Sequence, residues 1–213
     1  MAEDIQINTI EKAITELKRT SKTKFDATVE VHINLKIDPK KNDETVRTTT
    51  ILPHGTGKDK KVAVFSSKTV KEADIQLTEA DLKKIEKGTL KPGVDFDVIV
   101  SEPRFMAKIA SVARILGPQG MMPNPKSGTV TEDVEKAVKQ IKGGKIEIRN
   151  EVNAPIIHSI IGKVSFEDKK LIENFNELLS AVRQAKPQKV KPDTYISSVF
   201  VCTTMGKSYG VAF

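Results

Sequence analysis

The sequence predicts an α/β protein of two domains: an α+β domain made from both ends of the chain, interrupted by an inserted parallel α/β domain. Three observations carry this. From 28 to 37, Val29, Val31, Ile33, Leu35 and Ile37 alternate with Thr28, Glu30, His32, Asn34 and Lys36, the period of a strand with one buried and one open face. In the middle of the chain the pattern changes to short, nearly continuous apolar runs alternating with helical patterns, as in a small parallel sheet. After Asn150 the first pattern returns. The expected division is 1–55 plus 151–213 for domain one and 56–150 for domain two, with a hinge at Gly55 and Asn150.

The elements follow in order. Asn8 stands three residues before Glu11 and ahead of Ile10, Ala13, Ile14 and Leu17, which reads as an N-cap and an apolar helical face. The alternating strand comes next, then a polar loop over 38–43, then a β-branched strand over 45–52. A break follows at Pro53-His54-Gly55-Thr56-Gly57-Lys58. Residues 62–65 are a short apolar strand, Thr78 caps a helix through Lys87, and 96–100 form another short strand. Pro103 starts a helix through Ala113. Thr131 caps a helix through Ile141 that stops at Gly143-Gly144, and 146–149 form a strand. Beyond Asn150, a long strand-like stretch covers 155–166. Ser165 or a residue nearby caps a helix to Ala185 whose apolar side carries Leu171, Ile172, Phe175, Leu178, Leu179 and Val182. A loop with Pro187 and Pro192 leads to a last strand over 195–203.

Composition narrows the function. The chain has 213 residues, with 35 Lys and Arg against 28 Asp and Glu, a net charge of +7. Its 38% hydrophobic content can build cores. One cysteine excludes a disulfide framework, and one Cys with three His is not expected to build a structural zinc site. Low aromatic content and the lack of Trp argue against a stacking platform for single strands. No segment reaches the roughly 18 apolar residues of a membrane helix, and the acidic start lacks the basic and apolar regions of a signal peptide. The expectation is a soluble cytoplasmic protein with a reduced thiol.

The charge is unevenly placed. Residues 1–55 hold nine basic and nine acidic residues, 151–213 hold eight and six, and 56–150 hold eighteen and thirteen. From Pro103 to Thr131 there is no acidic residue, while Arg104, Lys108, Arg114 and Lys126 occur. That stretch suits phosphate contacts; the other reading is a solvated helix face and a structural loop. Two further segments are almost uncharged, one around His158, Ser159, Gly162, Lys163 and Ser165, the other around Thr203, Thr204, Met205 and Gly206. Small residues let a backbone approach closely, and hydroxyls and amides suit folded RNA; as strand ends and turns they would equally be ordinary.

Catalytic motifs do not assemble. Gly55-Thr56-Gly57-Lys58 lacks the four-residue spacing and the hydroxyl residue of a phosphate loop, since Asp59 follows. Gly117, Gly120 and Gly128 do not fit a dinucleotide fingerprint. Cys202 with His32 or His158 could form a thiol–imidazole pair, but its β-branched strand favours an inert, largely buried thiol; His32 and His54 have no carboxylate neighbours at a ligand spacing. Asp95 and Asp97 read as turn residues. No nucleophile, base and oxyanion set is found, so no enzyme, cofactor or metal is expected.

The stretch Gly117-Pro118-Gln119-Gly120-Met121-Met122-Pro123-Asn124-Pro125-Lys126-Ser127-Gly128-Thr129-Val130 resembles the signature loop of the family of large-subunit ribosomal protein one, in its bacterial form. Further blocks extend the resemblance over nearly the whole chain: Lys24-Phe25-Asp26 with Thr28-Val29-Glu30-Val31, Leu52-Pro53-His54-Gly55, Asp95-Phe96-Asp97, Ile146-Glu147-Ile148-Arg149-Asn150, His158 with Gly162-Lys163, and Thr203-Thr204-Met205-Gly206. The resemblance implies a split βαβ first domain and a Rossmann-like inserted second domain, with 146–149 an inner strand of the insert. It implies binding of structured large-subunit rRNA to form the mobile stalk, help to deacylated tRNA leaving the exit site, and, in many members, repression of the protein's own mRNA.

Carried over by position, the RNA face is Lys24, Phe25, Thr28, Glu30, His158, Gly162, Lys163, Ser165, Ser198, Thr204, Met205 and Gly206. Lys24 and Lys163 would pair phosphates. Thr204, Ser198 and the Gly206 backbone would bond riboses and phosphates. Phe25 and Met205 would pack on sugars or support the strands, and Glu30 would accept from a 2′-hydroxyl or a guanine amine. The loop 114–130, with Arg114, Gly117, Gly120, Asn124 and Lys126, would be a secondary RNA contact or a hinge-facing surface. The expected partners are large-subunit rRNA, exit-site tRNA and operon mRNA, with no membrane and a monomer when free. The chain lacks the basic extension that bacterial relatives carry before the first helix, an expected loss of positive charge. Two other readings stay open: an RNA-binding or assembly module without ribosomal residence, and an enzyme using the insert for a nucleotide.

Overall fold

The computed structural model describes residues 7–41, 43–67, 69–188 and 190–213. The acidic start of the chain, residues 1–6, lies outside the described residues, as do Asn42 and Lys189 of the two predicted loops. In chain order the elements are β1 (Ile7–Asn8), α1 (Ile10–Thr20), β2 (Thr28–Leu35), β3 (Arg47–Ile51), β4 (Val62–Phe65), β5 (Ile75–Gln76), α2 (Glu79–Glu86), β6 (Val98–Ser101), α3 (Met106–Ile109), α4 (Ala113–Leu116), α5 (Val134–Lys142), β7 (Lys145–Arg149), β8 (Ile156–Lys163), α6 (Asp168–Gln184), α7 (Pro192–Tyr195), β9 (Ile196–Thr203) and β10 (Tyr209–Val211). The chain divides into two compact units, Met1–Gly57 with Gly144–Phe213, and Lys58–Gly143. Among the described residues no helix is long and apolar enough to cross a membrane.

Unit 1 holds a five-stranded sheet in the order β1-β10-β9-β2-β8. β2 runs antiparallel to both β8 and β9. Its alternating side chains send Val29, Val31, Ile33 and Leu35 into the core and leave Thr28, Glu30, His32 and Asn34 half-exposed. β9 alternates in phase, burying Val199, Val201 and Thr203. α1 and α6 pack against each other; α1 also meets β9 and β10, and α6 meets β8 and β3. Ala13, Ile14 and Leu17 of α1 join Leu171, Phe175, Leu178, Leu179 and Val182 of α6 in one core with the strands. Each of the larger side chains among them stabilises the fold by about 1.5–3 kcal/mol on burial.

The ends of these helices differ from the capping patterns in the sequence. α1 is capped at Thr9, because Asn8 is drawn into β1 opposite Val211. The N-cap position of α6 is Glu167, two residues beyond Ser165, because Ser165 turns toward Asp26. The two helices are tied by Lys18, whose ammonium donates to the Phe166 carbonyl and to Asp168 Oδ1, the latter at 2.5 Å. β1 and β10 escape periodicity because strands of two and three residues are too short to show it.

The strand β7 belongs to unit 1, contrary to its expected place in the insert. It pairs antiparallel with β3, Thr49 opposite Glu147, and Ile146 and Ile148 enter the unit 1 core. The return crossing therefore falls at Gly143–Gly144 and not at Asn150. Asn150 is locked inside unit 1: its N–H donates to the Val46 carbonyl, its Oδ1 accepts from Val46 N at 2.8 Å, and its Nδ2 donates to the Glu151 carbonyl. Gly144 has φ +99°, and a Cβ there would sit 2.6 Å from Gly55 Cα, so the outgoing and returning strands touch backbone to backbone where no side chain fits.

Buried Asn174 secures this junction. On the apolar face of α6 it is fully buried; its Oδ1 accepts from His54 N at 3.1 Å, and its Nδ2 donates to the Gly55 and Ile161 carbonyls at 3.0 and 2.8 Å. One amide thus satisfies backbone groups of two segments that have no ladder partner there.

Unit 2 is a parallel sheet in the order β5-β4-β6, and β4 is buried on both sides. Ala63 and Phe65 face Leu82 and Ile85 of α2 together with Ile109, Val112 and Leu116. Val62 and Val64 face Val134, Ala137, Val138 and Ile141 of α5. The helix expected over 103–113 is split into α3 and α4 by 3-10 turns and runs on to Leu116; Ser111 Oγ donates to the Lys108 carbonyl at 2.8 Å and competes with the regular ladder. α5 is capped by Asp133 and not by Thr131: the Asp133 carboxylate accepts from Lys136 N, while the Thr131 hydroxyl accepts from Asp133 N.

Two predictions follow from these contacts. Asn174→Ala strands buried carbonyls and is expected to cost about 2–4 kcal/mol in urea unfolding; a loss under 0.5 kcal/mol would show that the junction does not need the amide. At the start of α2, Asp81 is held at about 2 by Lys84 and by the Thr78 hydroxyl and N–H, against an ordinary 3.8. A depressed carboxylate stabilises the fold above its unfolded pKa and loses that effect as the pH falls through its folded one. Asp81→Ala is expected to lower stability by about 1 kcal/mol at pH 7, with the difference fading between pH 3.8 and about 2; a difference that persists at pH 2 would contradict the cap.

Candidate nucleic-acid interface

The helices of unit 1 cover one face of its sheet, and the other is lined by the second phase of each strand. Thr28, Glu30, His32 and Asn34 of β2 lie beside His158 and Ile160 of β8 and Ser198, Phe200 and Cys202 of β9. A bulge at Ile161 lets Val29 pair with Gly162 and Glu30 with Ile160, so Ile161 stays buried while Lys163 arrives opposite Thr28.

At one end of this face three segments meet. Thr28 N donates to Thr204 Oγ1 at 3.1 Å, and Thr204 N donates to the Thr28 carbonyl at 3.1 Å. Lys163 Nζ donates to Thr28 Oγ1 at 2.9 Å and reaches the Asp26 carbonyl. Asp26 in turn accepts from Ser165 N and, at 2.7 Å, from Ser165 Oγ. The turn after β9 closes with Gly206 N donating to the Thr203 carbonyl at 2.9 Å. A Cβ on Gly206 would lie 2.1 Å from the buried Thr203 Oγ1, so the turn admits no side chain there. On this framework stand exposed Lys24, Phe25 at 56% and Met205 at 77% exposure.

Of the residues singled out from sequence, Lys24, Phe25, Thr28, Lys163, Ser165, Thr204, Met205 and Gly206 come together at this end. Glu30 and His158 lie further along the same face. Ser198 is near the far end, its Oγ accepting from Asn34 Nδ2 at 2.8 Å, about 20 Å from Thr28 at the rise of a strand. Gly162 turns inward: its φ is +150°, and a Cβ would meet Leu171 Cδ2 at 2.8 Å and Phe166 Cδ2 at 2.9 Å. Its small size serves the protein's own packing and offers no approach to a ligand.

In unit 2 the loop 114–130 organises itself. Asn124 Oδ1 accepts from Lys126 N, the Asn124 carbonyl accepts from Ser127 Oγ and Thr129 Oγ1, and Asn124 N donates to Thr129 Oγ1. Arg114, Gly117, Gly120 and Lys126 are exposed around it. The Gly55–Lys58 stretch is occupied by internal bonds, with Lys58 Nζ paired to Asp97 Oδ1 at 2.7 Å.

A polar cluster stands at the centre of the open face, and it joins Cys202 to His32, a pairing that the sequence alone ranks below an inert thiol. His32 Nε2 lies 3.1 Å from Cys202 Sγ, and its Nδ1 lies 2.6 Å from His158 Nδ1. Glu30 is directly opposite Cys202. Burial, then the nearby His158, lowers the His32 pKa; burial, then the Glu30 charge, raises that of Cys202. His54 likewise gains a carboxylate partner that its spacing does not show, Glu173. Cross-strand and helix-to-loop pairing creates these neighbours. Asn174 and Asp26 also stand outside the sequence-derived set; the signal for Asn174 is a lone polar residue in the apolar stripe of α6.

The fold, an open-faced sheet interrupted by a parallel α/β unit with helices on both of its faces, is that of a structural protein of the ribosomal class, as the comparisons show. The model of the Ribosomal protein L1p/L10e family matches residues 17–207. The large ribosomal subunit protein uL1 of Mycoplasma capricolum subsp. capricolum is 47% identical over 208 residues, covering 96% of this chain and 90% of that protein. The chain belongs to the Ribosomal protein L1p/L10e family. It is thus a structural, non-enzymatic component of the large ribosomal subunit, cytoplasmic and ribosome-associated.

The turn after β9 offers a direct check of this geometry. Gly206→Ala is expected to lower stability by about 1–3 kcal/mol, since the new methyl displaces the buried Thr203 hydroxyl. Thermal unfolding reads the shift, and an unchanged Tm would show that the turn can yield.

Proposed function

We propose that the chain binds a structured element of large-subunit rRNA through the end of the open sheet face where Lys24, Phe25, Thr28, Lys163, Ser165, Thr204, Met205 and Gly206 meet. The observation that carries this is the pair of large apolar side chains, Phe25 and Met205, exposed on a framework fixed by hydrogen bonds. Exposed apolar groups on a rigid, hydroxyl-rich rim suit a partner that presents sugars and 2′-hydroxyls. Phe25 and Met205 pack on riboses. Lys24 and Lys163 neutralise phosphates, and the Thr204 hydroxyl and Gly206 backbone bond the sugar–phosphate chain. Glu30 and His158 extend the contact along the face, with Ser198 at its far limit. The loop with Arg114 and Lys126 in unit 2 makes a secondary RNA contact.

In the ribosome this binding forms the mobile stalk and assists deacylated tRNA as it leaves the exit site. An mRNA segment that mimics the rRNA site is bound by the same face, which represses the protein's own translation. Off the ribosome the protein is a monomer.

Thr204→Ala and Met205→Asp are each expected to weaken binding to a stalk rRNA fragment by about 1–3 kcal/mol, with circular dichroism unchanged. Full affinity in both folded variants would move the RNA site away from this rim.

A further inference from the structure

We infer that Glu30, His32 and Cys202 form a site for one divalent transition-metal ion of the zinc class on the open face of the unit 1 sheet. Each offers one donor atom, and the three atoms lie within 4.8 Å of one another. The sheet sets this arrangement. Glu30 and Cys202 are directly opposite on β2 and β9, and His32 follows two positions along β2 on the same face. All three are half-buried, so an ion can reach them while the register holds their backbones.

The donor set selects the ion. A thiolate, an imidazole and a carboxylate suit zinc or cobalt(II) and disfavour calcium and magnesium, which take oxygen ligands. Thiolate and carboxylate together offset the double positive charge. His32 Nε2 and Cys202 Sγ are 3.1 Å apart. A tetrahedral ion with ordinary metal–nitrogen and metal–sulfur lengths needs about 3.5 Å, within reach of small side-chain rotations. On binding, the Cys202 S–H bond breaks, the sulfur–metal bond forms and the proton leaves to solvent. Water fills the fourth position.

A neighbour outside this triad supports the site. His158 stands opposite His32 on β8, with Nδ1 2.6 Å from His32 Nδ1 and the rings edge to face at 4.8 Å. An Nε2 that gives its lone pair to a metal leaves the proton on Nδ1, where it donates to His158. Metal-bound imidazoles commonly hold such an outer acceptor, which fixes the ring and raises its basicity. The inference stands apart from the RNA reading, since it concerns the free protein and the ion alone.

The test is titration of the reduced full-length protein with cobalt(II). The expected result is a thiolate-to-cobalt charge-transfer band that saturates at one equivalent and is lost when zinc is added. Cys202→Ser should abolish the band, and His32→Gln should weaken binding by about tenfold or more. The inference is overturned by a wild-type protein that shows no such band. A band unchanged in a folded His32→Gln protein would also overturn it.

Discussion

The central strand β2 is hydrogen-bonded on both sides, and helices cover only one of its faces. From this constraint the organisation of unit 1 follows. Val29, Val31, Ile33 and Leu35 must point toward α1 and α6, since a slip of one residue would bury Glu30 and His32 and expose the valines. Once that register is set, β8 and β9 have one alignment each, and every side chain on the uncovered face has an assigned neighbour. The Thr28–Lys163 pair, the Glu30–Cys202 pair and the His32–His158 pair are results of the same alternation. The rim at the Thr28 end is rigid for this reason, and so is the polar cluster at the centre.

Unit 1 also has to remain a closed core although its chain leaves and returns. The solution is local and polar. Gly55 and Gly144 bring the two crossings into backbone contact, and Asn174 supplies the hydrogen bonds that the strands cannot provide there. An unpartnered carbonyl at this depth would cost about 1–3 kcal/mol, comparable with the burial of one aliphatic side chain of α6. Asn150 has the matching role at the end of β7, bridging to Val46. The insert needs no such device within itself, since its parallel strands are apolar on both sides and are covered by helices on both.

Periodicity made the main strands and helices legible. The alternation over Thr28, Val29 and Glu30 gives β2 within two residues of its end, and the apolar run Val62 to Phe65 gives β4 in full. The α/β class and the family resemblance agree with the topology and the family match. What periodicity does not carry is partner choice. Ile146 and Ile148 are equally apolar in either unit, so sequence could not assign β7 to β3. Gly162 looked like a close-approach residue and is a packing residue, because its positive φ and the proximity of Leu171 are tertiary facts. In the Glu30–His32–Cys202 cluster, the place of Cys202 is set by the register of β9 on β2, which sequence spacing does not give.

The charge distribution leads to the central claim. The positive excess lies mainly in the middle of the chain, while the rim proposed to read RNA carries few charges, chiefly Lys24 and Lys163. Recognition there depends on shape, hydroxyls and two exposed apolar side chains. The most direct test is the salt dependence of affinity for a stalk rRNA fragment beside an unrelated RNA duplex. The account predicts tight, selective binding with a slope of log K against log salt of about −2 to −3, as for two or three phosphate contacts. Comparable affinity for both RNAs with a slope steeper than about −6 would mean general phosphate binding and would contradict it.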